Sequence, residues 1–93
     1  MLFKMQDNPV ITTKEQAVLF IKEIEIIVCV NLAHCYLKTQ QYHHAIKYCR
    51  QALEKEDSNI KALYRTGIAY THLGELNKAR EALHAVAELE TDQ

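Results

Sequence analysis

Apolar residues recur along this chain at helical rather than strand spacing, and they do so in four stretches separated by short polar breaks. From Ile26 to Leu37 the apolar positions Cys29, Leu32, Ala33 and Tyr36 fall on one helical face. The break Lys38-Thr39-Gln40-Gln41 follows. A second helix is predicted from about Tyr42 to Lys55, with Ala45, Ile46, Cys49, Ala52 and Leu53 together on its packing face. Glu56-Asp57-Ser58-Asn59 is a turn rich in N-capping residues, and it opens a third helix from about Asn59 to Leu73. Gly74 stands where a left-handed residue closes a helix, and a last helix is predicted from about Leu76 to Leu89.

The first helix starts well before Ile26. Thr12-Thr13-Lys14-Glu15-Gln16 contains two overlapping capping boxes, so a helix is expected to start near Thr13 and run unbroken to Leu37. Its early part carries Ala17, Phe20, Ile21, Ile24 and Val28, a stripe with nothing evident in the chain to cover it. Concentration-dependent self-association through that stripe, or a loosely folded monomer, is the expectation. Residues 1–12 are expected to be a disordered lead-in.

Shifted against itself by 34 residues, the sequence aligns without a gap. Ile26 falls on Ile60, Ala33 on Gly67, Tyr36 on Tyr70, Ala45 on Ala79, Cys49 on Leu83 and Ala52 on Val86. Residue size is matched where antiparallel helices must approach. The fold class is therefore all-α: two helix-turn-helix units, residues 26–59 and 60–93, stacked as a short right-handed α-solenoid within a domain spanning 13–93 and entered by the extended helix 13–37.

Composition narrows the function. Eleven basic residues against twelve acidic give a net charge of −1, which argues against nucleic acid as the main partner. The run Ala17 to Val30 is interrupted by Lys22, Glu23 and Glu25 and is too short to span a bilayer, and Lys4 and Asp7 break the apolar start of the chain, so neither a membrane span nor a secretory signal is expected. Three cysteines, Cys29, Cys35 and Cys49, match no zinc or redox spacing and read as buried free thiols of a cytoplasmic or nuclear protein. The five histidines, His34, His43, His44, His72 and His84, are never three or four residues from one another or from a cysteine, so no metal site and no cofactor is expected. No glycine-rich phosphate loop or nucleophile motif occurs, and an enzyme is not expected.

The small residues Ala33, Ala45, Gly67 and Ala79, the aromatics Tyr36 and Tyr70 and the apolar Cys49 and Leu83 resemble the tetratricopeptide repeat (TPR) over residues 26–93. The usual proline near the end of each unit is replaced by Asp57 and Thr91, which implies looser turns. Within that family, NLAHCYLK and NIKALYRTG are similar to the second and third repeats of the TPR domain in large immunophilins and related co-chaperones. That likeness implies a binding module for the acidic C-terminal tail of heat-shock chaperones, ending Glu-Glu-Val-Asp. It places Asn31, Lys61 and Arg65 at the positions of a two-carboxylate clamp.

Helical spacing supports the assignment independently. Asn31, His34 and Lys38 share one face of their helix, and Lys61, Arg65 and His72 the equivalent face of theirs. With Leu37, Tyr64 and Ile68 they would line a concave groove suited to an extended peptide ending in carboxylates. The subfamily's first repeat and its capping helix have no counterpart here, and the expectation is a shortened form with a partial clamp. The alternatives are a scaffold for a different protein partner, or a truncated form without clamp activity.

Overall fold

The computed structural model describes residues 13–91, and these form four helices: α1 (Lys14–Lys38), α2 (Tyr42–Lys55), α3 (Ile60–His72) and α4 (Leu76–Thr91). There is no strand among the described residues. α1 packs on α2 and α3 on α4 as antiparallel hairpins, while α3 also lies against both α1 and α2, giving a short α-solenoid. The expected lead-in over residues 1–12, Thr12 of the first capping box included, lies outside the described residues.

Local chemistry sets the helix ends. The Thr13 hydroxyl accepts from the Gln16 N–H at 3.1 Å, and the Gln16 side chain accepts from the Thr13 N–H at 3.3 Å, a complete capping box. The Asn59 side chain accepts from the Ala62 N–H at 2.8 Å and donates to Glu56 at 2.7 Å, so the turn residue caps α3 and anchors itself. Both hairpin turns close in the same way. Gln40 (φ 61°) and Gly74 (φ 78°) are left-handed. The Gln40 and Gln41 N–H groups donate to Leu37 and Tyr36, and those of Gly74 and Glu75 to Thr71 and Tyr70. These are two Schellman motifs 34 residues apart. Only the second uses the residue type that fits the conformation without strain.

The core is built from small residues. Ala33, Ala45, Cys49, Ala52, Ala62 and Ala69 are fully buried, and around them pack Ile26, Cys29, Val30 and Ile46, with Tyr36, Tyr48, Leu53 and Tyr70 half-buried. Small side chains let the helix axes approach, and the aromatics fill the margins. Gly67 marks the tightest approach, where an added Cβ would meet Leu83 Cγ at 2.6 Å.

Two sequence expectations are corrected here. Leu32, placed on the packing face of α1, is exposed, because it stands on α1 where Thr66 stands on α3 and no described residue covers α1 on that side. Cys35, expected to be a buried thiol, is exposed as well, while Cys29 and Cys49 are buried. All three thiols are free. The expected stripe is bare: Phe20, Ile21, Ile24 and Val28 are exposed, together with Val18, Leu19 and Ile27. Among the described residues no helix is long and apolar enough to cross a membrane.

Candidate functional site: a two-part groove along α1 and α3

α1 and α3 are the first helices of their hairpins, and between them lie two neighbouring depressions. The first, of about 430 Å³, is lined by Asn31 and Lys61 together with Ile27, Val30, Glu56 and Asn59. The second, of about 300 Å³, is lined by His34, Leu37, Lys38, Tyr64, Arg65 and Ile68. Eight of the nine residues singled out from the sequence thus line one or the other.

The ninth does not. His72, in the last turn of α3, stacks its ring on Tyr42 at the start of α2, with centroids 4.7 Å apart and planes 4° from parallel. It follows the helical spacing of Lys61 and Arg65, but the end of α3 passes the first residue of α2 there, and an aromatic face captures the imidazole. His43 and His44 belong to the first turn of α2, where His44 stacks on Tyr36 at 5.0 Å.

Arg65 lines the second depression and is bonded to a residue of the first. Its Nη1 donates to the Val30 carbonyl at 3.1 Å, so the guanidinium is held against α1 while its other donors stay available. Lys61 and Asn31 are exposed, and among the described residues none of Lys38, Lys61 and Arg65 forms an ion pair. Three cations without carboxylate partners, over a floor containing Leu37, Tyr64 and Ile68, can receive an anionic, partly apolar chain. Sequence reasoning missed Glu56, which faces the first depression and is held by Asn59. A turn residue gives no helical periodicity by which to place it.

Below this surface burial pushes the Cys49 thiol up, partly offset by a hydrogen bond with Thr66 and by the positive charge of Arg65. Cys29 Sγ donates to Gln51 Oε1 at 3.6 Å. No group of three or more His, Cys, Asp or Glu side chains able to hold a metal ion occurs among the described residues.

An open groove over paired helical hairpins, with charge and apolar surface but no reacting constellation, defines a repeat-built protein-interaction module. The tetratricopeptide repeat family model matches residues 26–59. The chain carries a TPR domain, a non-catalytic interaction fold, and it resembles the TPR regions of FK506-binding-protein-type co-chaperones.

Among curated proteins it is similar to FK506-binding protein 5 of Rhizopus delemar, 37% identical over 54 residues, covering 58% of this chain and 14% of that protein. It is likewise similar to the Arabidopsis thaliana peptidyl-prolyl cis-trans isomerase FKBP42, 41% identical over 51 residues, covering 55% of this chain and 14% of that one. Among solved structures, the C-terminal TPR-containing domain of a Plasmodium falciparum FK506-binding protein superposes with a TM-score of 0.80 at 34% identity, over 88% of this chain and 54% of that one. The second TPR of Spaghetti (RPAP3), bound to the HSP90 peptide SRMEEVD, superposes with a TM-score of 0.67 at 41% identity, over 69% of this chain and 56% of that one. The chain thus spans about half the length of the solved domains and about a seventh of the curated relatives.

Proposed function

We propose that the chain binds the acidic C-terminal tail of a heat-shock chaperone along the α1–α3 groove. Asn31, Lys61 and Arg65 take the final carboxylates, with Lys38 and His34 alongside. Leu37, Tyr64 and Ile68 receive the apolar side chain that precedes the terminal acid.

The observation that carries this reading is the groove's composition: unpaired Lys61, Arg65 and Lys38 beside an apolar floor, in two adjoining depressions. Likeness to a domain solved with a peptide ending Glu-Glu-Val-Asp, at 41% identity, supports it. Three free thiols fit a reducing compartment, and we place the chain in the cytoplasm or nucleus.

Glu56 favours a second reading. A carboxylate facing the depression of Asn31 and Lys61 opposes a terminal carboxylate there and suits a partner held by its backbone and an internal side chain. Fluorescence anisotropy with a labelled Glu-Glu-Val-Asp peptide, free and amidated, separates the two. The clamp requires that amidation weaken binding, and equal affinity for both peptides would sink it.

A further inference from the structure

The internal repeat shows what α1 is built to touch. On α3 the face that docks on the preceding hairpin carries Ala62, Thr66 and Ala69: Ala62 is fully buried with Val30, Cys49 and Ala52, and Ala69 with Ala45 and Ile46. Thirty-four residues earlier these positions are Val28, Leu32 and Cys35 of α1, all exposed, with Val28 50% accessible. The stripe continues toward the N-terminus at helical spacing through Ile24 and Ile21. α1 thus presents an apolar docking face in the register that α3 uses, and it reaches roughly 18 Å beyond Ile26 at 1.5 Å per residue.

The opposite end of the stack shows the complementary surface. α3 docks on a surface to which Val30, Tyr42 and Cys49 contribute. Their counterparts 34 residues later are Tyr64, Leu76 and Leu83, which are 52%, 66% and 37% exposed. No other large apolar side chain of α3 or α4 is as exposed as these three. Among the described residues, one end therefore carries an uncovered docking face and the other an uncovered receiving face, related by the interface already formed inside the chain.

We infer that a second copy of this chain docks head-to-tail, the α1 face of one copy on the Tyr64–Leu76–Leu83 face of the next, in the register of the α3 interface. Two unlike patches make the contact heterologous, so association adds copies without closing into a two-fold dimer. Burial of exposed apolar surface drives it. Of the groove residues, Asn31 of the docking copy stands where Arg65 stands in the α3 interface, and Tyr64 of the groove floor belongs to the receiving face.

Sedimentation equilibrium of the full chain and of two charge-blocked variants tests this. Val28→Glu blocks the docking face, and Ile24→Glu, lying beyond the core, blocks it again should Val28→Glu unfold. Leu76→Glu blocks the receiving face at a highly exposed site. The full chain should show an average mass that rises with concentration past twice the monomer value. Each helical variant, checked by circular dichroism, should stay monomeric alone, and an equimolar mixture of a docking-face variant with Leu76→Glu should form a 1:1 pair of twice the monomer mass, because each supplies the face the other lacks. Three results each overturn the proposal: a full chain that stays monomeric at about millimolar concentration, a mixture that does not pair, or a Leu76→Glu variant that associates like the wild type, which would mean α1 pairs with α1.

Discussion

Through Nη1, the guanidinium of Arg65 on α3 donates to the backbone carbonyl of Val30 on α1, 3.1 Å away and across the boundary between the two hairpins. A residue proposed to hold ligand therefore also ties the repeats together. Lys61, one turn earlier on the same helix, is exposed and makes no such contact.

The two cations should therefore separate in a mutational comparison. Charge-assisted hydrogen bonds contribute about 1.5–3 kcal/mol each, so Lys61→Ala should lower affinity for a Glu-Glu-Val-Asp peptide roughly ten-fold or more while leaving thermal stability unchanged. Arg65→Ala should lower both affinity and melting temperature. Anisotropy titrations in low salt, paired with circular-dichroism melts, read the two effects apart. Unchanged affinity in both variants would show that these cations are only a solvated face.

The two Schellman turns differ in one residue that matters. Gln40 adopts φ 61°, where an L side chain is strained, whereas Gly74 holds φ 78° at the equivalent place, with nothing within 4 Å of where a Cβ would stand. Gln40→Gly should stabilise the chain by about 0.5–1 kcal/mol, less than the full left-handed cost because glycine loses more entropy on folding. Gly74→Gln should destabilise it by a similar amount. For a domain of this size 1 kcal/mol moves the melting temperature by roughly 4–8 °C, which a thermal melt resolves.

Much of this is legible in the sequence, for identifiable reasons. The Thr13–Gln16 box and the Asn59 cap are local chemistry, readable from a few adjacent residues. The 34-residue repeat tells which helices pair, because matched residue sizes reflect matched approach distances. What is not legible depends on neighbours that periodicity cannot supply. Cys35 reads as buried because it sits among apolar residues. Its counterpart Ala69 is buried only because Ala45 and Ile46 of the preceding hairpin cover it, and no described residue covers α1 in that way. His72 keeps its face but loses the groove to Tyr42. The Val30 carbonyl carries no side-chain signal, so the second role of Arg65 is invisible in the sequence.

The pairing of Gly67 with Leu83 is a further point of strain control. A Cβ at Gly67 would lie 2.6 Å from Leu83 Cγ and Cδ2, so Gly67→Ala should cost about 1–3 kcal/mol by forcing Leu83 off its rotamer or α4 away from α3. The first unit has Ala33 and Cys49 at the same two positions. Adding Leu83→Cys to Gly67→Ala copies that pair and should recover part of the loss. A double-mutant cycle from urea unfolding measures the coupling, and additivity of the two changes would mean the helices are not in contact there.

The thiols give the last prediction, through both reactivity and pH. Cys35 is exposed and should alkylate quickly in the native state, while Cys29 and Cys49 should wait for unfolding. Burial raises the Cys49 pKa, with Thr66 and Arg65 offsetting part of the rise. A thiol whose pKa is higher folded than unfolded binds its proton more tightly in the native state. Its contribution to stability is therefore fully present below the unfolded value of about 8.5, and it is lost as pH rises from there through the folded value. Unfolding free energy measured in urea should thus fall across the alkaline range above that value. Cys49→Ala should be less stable at neutral pH, because it leaves a small cavity at a fully buried site, and should show a shallower alkaline decline, because the titrating group is gone. Cys35→Ala is the control, with no loss of neutral stability. If Cys49→Ala keeps the full alkaline slope, the buried thiol is not its source.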